Sequence, residues 1–305
     1  MGGPFFTLFV IMKKILAFVI TIFILAGCGN KSEADKNVSV NKADSGAVRI
    51  AVQPTLESLP LIIAEERNLF DKCGVNVALI MYTSQAYCDT AMAERSADAM
   101  VTDIVRGKSW ENENKKKLNF ATWTNTHYML ISSKKARVKE LSQMTDKLMA
   151  VTRNSVTDML ADSAIVRAGK TPQDMFKVQI NDQEIRLNML IESKMDAAFL
   201  QHPYAAEALA RGGSMLMHGG KSEAGVLAFN KDTDEKDIKL ILKAYDDACD
   251  SINTKGVMNY APEIEKYMRK DIRKWNKYLK DIKFRHSHAV DADAMNKAAQ
   301  WLKEN

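Results

Sequence analysis

The run from Val48 to Ile80 constrains this chain more than any other stretch. Val48-Arg49-Ile50-Ala51-Val52 is β-branched and reads as a strand. Gln53-Pro54-Thr55 breaks it. A helix follows: Pro60 suits its first turn, Ser58 or a neighbour suits its cap, and Leu61, Ile62, Ala64, Leu69 and Phe70 supply an apolar face. Gly74 suits the left-handed residue that closes a helix. Val75 to Ile80 is then a second strand. Strands joined through a helix lie parallel, so this is a βαβ unit and the beginning of an α/β sheet.

The alternation continues. Ser84 to Ser96 reads as a helix and Ala99 to Thr102 as a short buried strand; Leu118 to Trp123 and Tyr128 to Ser132 are further strands, parted by the polar Thr124 to His127. Met149 to Thr152 is another strand. Helices are expected at Thr157 to Ala168 (closed by Gly169), Glu184 to Ser193 and Pro203 to Ala210, with a strand at Met195 to Leu200. After the strand Val226 to Phe229 the pattern is helical, at Asp237 to Ile252, Glu263 to Tyr278 and Asp291 to Lys303. Helices on both faces of a sheet follow from such alternation. Two halves, Val48 to Trp123 and Met149 to Leu200, echo each other. Each ends in an Asp-containing strand entry, Ala97-Asp98-Ala99-Met100 and Met195-Asp196-Ala197-Ala198. The echo predicts two similar lobes, with the chain crossing near Asn125 to Ser132 and returning near Val226 to Asn230.

Ahead of this body stands an export-type leader. Lys13-Lys14 precede the apolar run Ile15 to Ala26, and small residues lead into Cys28. The run has 12 residues, and a membrane span needs roughly 20. Leu25-Ala26-Gly27-Cys28 resembles the processing site of bacterial lipoproteins, which implies lipidation at Cys28 and an exported protein, anchored by acyl chains and facing the periplasm or the outside. Met12 is a natural start, so residues 1–11 read as an upstream extension of the leader, 1–27. Residues 28–47 hold the lipidated cysteine and a polar tether without apolar periodicity.

The whole chain carries 43 basic and 38 acidic residues. Loss of Lys13 and Lys14 with the leader brings the balance near neutrality, and the charges are interleaved, so no nucleic-acid footprint is present. Cys73, Cys88 and Cys249 are an odd set. They read as small buried hydrophobes, with a Cys73–Cys88 disulfide as the alternative in an oxidising compartment. His286 and His288 have no third ligand nearby in sequence, so no metal and no cofactor is expected.

Several segments, in order, resemble the periplasmic solute-binding proteins of the nitrate/sulfonate/taurine and thiamine-precursor-binding (NMT1/SsuA-like) family. They are Val48 to Pro54, Leu59-Pro60-Leu61-Ile62-Ile63-Ala64, Asn68 to Val77, Ala97 to Asp103, Val151 to Ser155 and Asp196 to Phe199. The resemblance implies a type II periplasmic-binding-protein fold: two α/β lobes, a two-strand hinge and a ligand cleft between them. Lobe 1 would be residues 48–127 plus 227–305, and lobe 2 residues 128–226. It also implies a monomer that binds a small organic or anionic solute and serves an ABC permease and its ATPase, touching the membrane through its lipid alone. Many members carry "x-E-P" where this chain has Gln201-His202-Pro203-Tyr204, a departure that unsettles transfer of any one ligand.

Ligands in open α/β sheets bind beyond the carboxyl ends of strands, where helix N-termini offer free N–H groups. The candidate ligand residues are therefore Gln53, Pro54, Thr55, Ser84, Thr102, Asp103, Trp123, Arg153, Asn154, Ser155, His202 and Tyr204. Arg153 is the candidate for an anion, and Trp123, His202 and Tyr204 could sandwich a ring. An enzyme on the same fold, menaquinone-pathway or pyrimidine-synthase-like, and a structural surface lipoprotein are the alternatives. No G-x-S-x-G, H-E-x-x-H or phosphate-loop motif supports the enzyme.

Overall fold

The computed structural model describes residues 38–39, 46–171, 174–218 and 224–305. The leader 1–27 and Cys28 lie outside them. The first lobe begins with β1 (Val38–Ser39), β2 (Val48–Val52), α1 (Leu59–Glu66), α2 (Leu69–Cys73), β3 (Val77–Met81), α3 (Gln85–Ala93), β4 (Ala99–Asp103), α4 (Ile104–Asn114) and β5 (Leu118–Trp123). The second lobe holds β6 (Met129–Ser132), β7 (Lys147–Val151), α5 (Val156–Arg167), β8 (Met175–Gln179), α6 (Gln183–Ile191), β9 (Ala197–Leu200), α7 (Tyr204–Ala210) and β10 (Ser214–His218). The chain then returns to lobe 1 as β11 (Gly225–Asn230), α8 (Glu235–Lys255), α9 (Ala261–Met268), α10 (Asn276–Leu279) and α11 (Ala292–Glu304).

The two sheets share one plan. Lobe 1 runs β1-β3-β2-β4-β11-β5 and lobe 2 runs β10-β6-β9-β7-β8. In each, a central strand lies parallel to both neighbours: β2 between β3 and β4, β7 between β8 and β9. Two antiparallel strands follow on one side, β11 then β5 in lobe 1 and β6 then β10 in lobe 2. The repeated aspartates do the same work in both. Asp98 accepts from the Arg49 N–H (2.9 Å), and Asp196 from the Leu148 N–H (2.9 Å), so each carboxylate ties the entry of a third strand to the first.

Apolar side chains cover both faces of both sheets. Ile50, Leu59, Ile62, Phe229, Tyr245 and Ile264 pack lobe 1 against α1, α8 and α9, while Ala51, Met92, Met100 and Trp110 fill its other face. In lobe 2, Val151, Ile165 and Phe199 lie towards α5, and Ile131, Leu187 and Leu200 towards α6 and α7. Each such side chain contributes about 1.5–3 kcal/mol on burial. A fifth cluster joins Ile104 and Trp123 of lobe 1 to Val156 of lobe 2 beneath Ala298 of α11. Among the described residues no helix is long and apolar enough to cross a membrane.

The structure differs from the sequence reading in several places. Val38–Ser39, within the segment read as a tether, pairs antiparallel with β3. Gly225 and Val226 pair with Asp103 and Thr102, so all of β11 belongs to the first sheet and the return crossing precedes Gly225 rather than falling at 226/227. Cys73, Cys88 and Cys249 are free thiols; Cys88 is buried on one face of the first sheet, and Cys249 lies in the core on the other. Ser58 sits at the N-cap of α1 but its side chain makes no capping bond. The helix expected over 263–278 breaks at Arg269, which adopts a left-handed conformation (φ 54°). That turn directs Lys270 onto Glu184 and Glu207 of lobe 2 (2.7 and 2.9 Å). The sequence reading had no α4, β8 or β10. Gly107 inside α4 weakens the helical signal, and it is there because a Cβ would stand 2.6 Å from the Phe120 ring.

Candidate functional site between the two sheets

Four helices begin at the carboxyl ends of strands and point their N-termini at the boundary between the lobes. In lobe 1, Asp103 is the N-cap of α4 and accepts from the Arg106 N–H (2.7 Å); Ser84 is the N-cap of α3. In lobe 2, Ser155 caps α5 through the Thr157 N–H, and Asp182 caps α6 through the N–H groups of Glu184 and Ile185. Ser84 and Asp182 meet as an isolated antiparallel bridge, so the caps of α3 and α6 touch across the boundary.

Between these termini lies a cavity lined from lobe 1 by Gln53, Gln85 and Asp103, from the crossing segment by Tyr128, and from lobe 2 by Thr152, Ser155, Thr157, Asn181, Gln183 and Arg186. The space is about 10 Å³, roughly what one water requires. Any larger solute enters by the lobes parting, as hinge-closing binders do.

Two buried charges face this space from opposite lobes. Arg186 is 1% exposed. It donates to the carbonyls of Ile180 and Phe199 (2.5 and 2.9 Å) and to the Thr152 hydroxyl (2.5 Å). No carboxylate among the described residues pairs with it, and burial pushes it down to about 10. Asp103 is 3% exposed. Its Oδ1 accepts from Arg106 N–H and, across the boundary, from the Val156 N–H that opens α5 (3.0 Å). Burial raises its carboxyl to about 7, against the pull of those N–H groups and of Arg106. Burial also raises Tyr128, whose phenol feels Asp103, Glu57 and Arg186.

A second polar junction lies beside the first. Glu57 accepts from Thr124 and from Gln201 Nε2 (2.8 Å), and Gln201 in turn accepts from Gln183 Nε2 (2.6 Å). Burial raises the Glu57 carboxyl despite these bonds. Gly225 is required here: a Cβ would stand 1.9 Å from both Glu57 Oε1 and Thr126 Oγ1. The Leu56 N–H also donates to the His202 carbonyl across the boundary (2.8 Å).

Of the sequence candidates, Trp123 lines a separate space of about 420 Å³ with Ile104 and Val156, while Gln53, Asp103 and Ser155 line the small interlobe cavity. Ser84 sits at its edge through the bridge to Asp182. Pro54 is half-buried, and Thr55 and Thr102 are buried with hydroxyls that have no hydrogen bond. Arg153 and Asn154 are exposed, Asn154 with φ 52°. The buried cation is Arg186, on a different strand-to-helix connection. The three rings do not come together. Trp123 lies in the apolar cluster with Ile104 and Val156; Tyr204 packs among Met129, Ile131 and Leu200, with Lys270 5.2 Å from its ring centroid; His202 lines a separate space of about 10 Å³ beside Glu57 and His127. His202 is held neutral, its ring pushed down to about 3 by burial first and then by His127 and His218. His286 pairs with Asp250 (2.7 Å), and among the described residues no three His, Cys, Asp or Glu side chains are placed to hold a metal ion. Sequence reasoning passed over Arg186, Tyr128, Thr152 and Gln183, while Glu57 lies in the loop Gln53 to Ser58 that it placed at the cleft. Only the position of Gln183, just after the N-cap of a helix that follows a strand, carried a usable signal.

The sequence profile of the NMT1/THI5-like family matches residues 55–218. Solved structures share the fold at low identity. The alkanesulfonate-binding protein SsuA from Xanthomonas axonopodis pv. citri, bound to MOPS, has a TM-score of 0.72 at 12% identity, covering 86% of this chain and 93% of its own. The ligand-binding component of an ABC-type import system from Staphylococcus aureus, with zinc bound, has a TM-score of 0.71 at 12% identity over 85% and 92%. The periplasmic nitrate-binding protein NrtA from Synechocystis PCC 6803 gives 0.69 at 12% over 86% and 81%. No curated protein matches the chain by sequence.

Proposed function

Because this chain belongs to the NMT1/THI5-like family and has the two-lobed α/β fold of periplasmic binding proteins, we propose that it is an exported, lipid-anchored receptor that binds a small acidic solute between its lobes and passes it unchanged to an ABC permease. The observation that carries this reading is Arg186. A guanidinium 1% exposed, at an interlobe cavity, with no carboxylate paired to it, is a costly arrangement for a protein to keep. An anionic group of a solute would complete it, through the N–H groups that Arg186 does not already spend on Ile180, Phe199 and Thr152. The N-termini of α5 and α6 add partial positive charge from the same side. Closure follows because the cavity walls come from both lobes, so a solute gains its full set of contacts only when the lobes are together. The sulfonate- and nitrate-binding relatives of the fold are consistent with an acidic solute. Export and anchoring rest on the leader and Cys28.

Titration calorimetry on the purified full chain with nitrate, short alkanesulfonates and short carboxylates tests the binding reading. At least one is expected to bind and to be recovered unchanged. Arg186→Met is expected to weaken it about 100-fold, about 2.7 kcal/mol. Equal affinity in wild type and variant would sink the role of Arg186. Palmitate labelling that is lost in Cys28→Ala is the expected sign of the anchor.

A further inference from the structure

The last helix belongs to lobe 1 by its ties, yet it reaches lobe 2. The segment that leads into α11 is laced to the first lobe. Ser287 donates from its N–H and its hydroxyl to Asp246 of α8 (2.6 and 2.8 Å). The His288 N–H donates to the Thr122 hydroxyl (2.9 Å), and the His288 carbonyl accepts from the Trp123 N–H (3.3 Å). Asp291 then caps α11 through the Ala294 N–H (2.7 Å). Met295, Ala298 and Leu302 recur at helical spacing and give α11 an apolar face. That face lies over the seam between the lobes. Ala298, 1% exposed, shares one cluster with Ile104 and Val105 of lobe 1 and with Val156, Met159 and Leu160 of lobe 2. The grip on lobe 2 is of a different kind. Trp301 Nε1 donates to Asp162 Oδ2 on α5 (3.1 Å), while Asp162 Oδ1 pairs with Lys177 of β8 (2.7 Å), which fixes the carboxylate within lobe 2. Beside this bond a space of about 420 Å³ is left among Trp123, Met159, Leu160, Ala294 and Ala298. The contact between α11 and α5 is therefore loosely packed, unlike a protein core.

An element laced to one lobe and loosely seated on the other leaves the second when the lobes part. We propose that α11 is a strap carried by lobe 1 that seats on α5 only when the lobes are together, with Trp301 and Asp162 as its clasp. This rests on the reading that the lobes part to admit a solute, and it holds whichever solute the cleft takes. The strap is separate from the solute site: the space beneath α11 and the cavity at Arg186 share no lining residue. Seating favours the closed arrangement whatever lies in the cleft. Trp301 is thus a positioning residue, which biases the open–closed equilibrium without touching the solute. The apolar face of α11 supplies the rest of the bias, since Met159 and Leu160 lose their cover when the strap lifts. A contact of this kind has two discrete arrangements, seated and lifted, as moving lobes require.

Two variants loosen the strap from opposite sides. Trp301→Phe keeps a ring and removes the N–H, and Leu160→Ala trims the seat on lobe 2. Neither touches the ties to lobe 1 or a residue that lines the Arg186 cavity. X-ray scattering from the purified full chain without solute is expected to give a larger radius of gyration in both variants than in wild type, at unchanged helix content by circular dichroism. With a bound member of the nitrate, alkanesulfonate and carboxylate series, all three chains are expected to contract to the same value. Dissociation of that solute, followed by stopped flow, is expected to be about five-fold faster from Trp301→Phe, which is about 1 kcal/mol, the net worth of one hydrogen bond. Scattering that is the same in wild type and both variants would overturn the strap, and so would an expansion that comes only with loss of helix. If no member of the series binds, the solute reading falls while the solute-free scattering still decides for or against the strap.

Discussion

The two lobes are the same design carrying opposite charges to their meeting point. Both set a parallel strand between two others, both tie strand entries with an aspartate, and both start a helix with glutamine at the boundary, Gln85 on α3 and Gln183 on α6. The second turn of these helices separates them. Lobe 1 has Asp89, whose charge is answered inside its own lobe by Arg106. Lobe 2 has Arg186, which has carbonyl and hydroxyl acceptors but no counter-charge. Lobe 1 also sends Glu57 and Asp103 to the boundary as hydrogen-bond acceptors for lobe 2. A repeated scaffold thus leaves the ends of its strands free to differ, and the difference gives the cleft an acidic wall and a basic wall.

Lys270 offers the strongest way to break this comparison, because there the charges are reversed: lobe 1 supplies the cation and lobe 2 the carboxylates Glu184 and Glu207. Lys270→Ala leaves Glu207, 7% exposed, with Arg211 as its remaining cation and cuts the tie from lobe 1 to Glu184 and Glu207. Loss of about 3 kcal/mol in urea unfolding is expected, the low end for a broken buried pair because Arg211 still answers part of the Glu207 charge. A loss below 1 kcal/mol would mean that this contact does not hold the lobes.

Asp103 gives a smaller effect with a definite pH signature. Its carboxyl is raised to about 7 by burial, against an ordinary value of about 3.9. Between about pH 4 and pH 7 the native state binds more protons than the unfolded chain, so this group's stabilising contribution is present below pH 4 and lost as pH rises through 7. Asp103→Asn removes that loss. The variant's stability relative to wild type, without solute, is expected to rise by on the order of 2–4 kcal/mol from pH 4 to pH 8. A flat difference across that range would show that Asp103 is not buried as an acid.

The smallest expected effect sharpens the contrast between two arginines. Arg153 is exposed at the start of the α5 connection, whereas Arg186 is buried beneath it. Arg153→Ala is expected to change stability by less than about 0.5 kcal/mol and solute affinity by less than about two-fold. A large loss of affinity would move the anion contact from Arg186 to the surface.

Much of the architecture was legible in the residues. β-branched runs marked β2 and β3, short apolar runs marked β5 and β9, and the Asp98 and Asp196 echo foretold two similar sheets. Asp103 and Ser155 were legible as residues that line the cavity, because a polar residue between a strand and a helix is a cap, and caps here face the boundary between the lobes. Arg186 was not legible. It sits inside a helix among Gln183, Glu184 and Asn188, where an arginine ordinarily points to water. Trp123 was legible as a strand-end ring, but not where it goes: it packs with Ile104 and Val156 and lines a separate space of about 420 Å³, apart from Arg186.

The sequence by itself determined the alternation of strands and helices and the doubled plan, because period and turn chemistry act over short stretches of chain. Only the tertiary structure decided which charges face the cleft. Asp103 and Arg186 are 83 residues apart in the chain, and their confrontation arises when two separately wound sheets bring the ends of their strands together. Local preference cannot encode that, since an arginine in a helix obeys the same rules whether its tip meets solvent or an empty place for a solute.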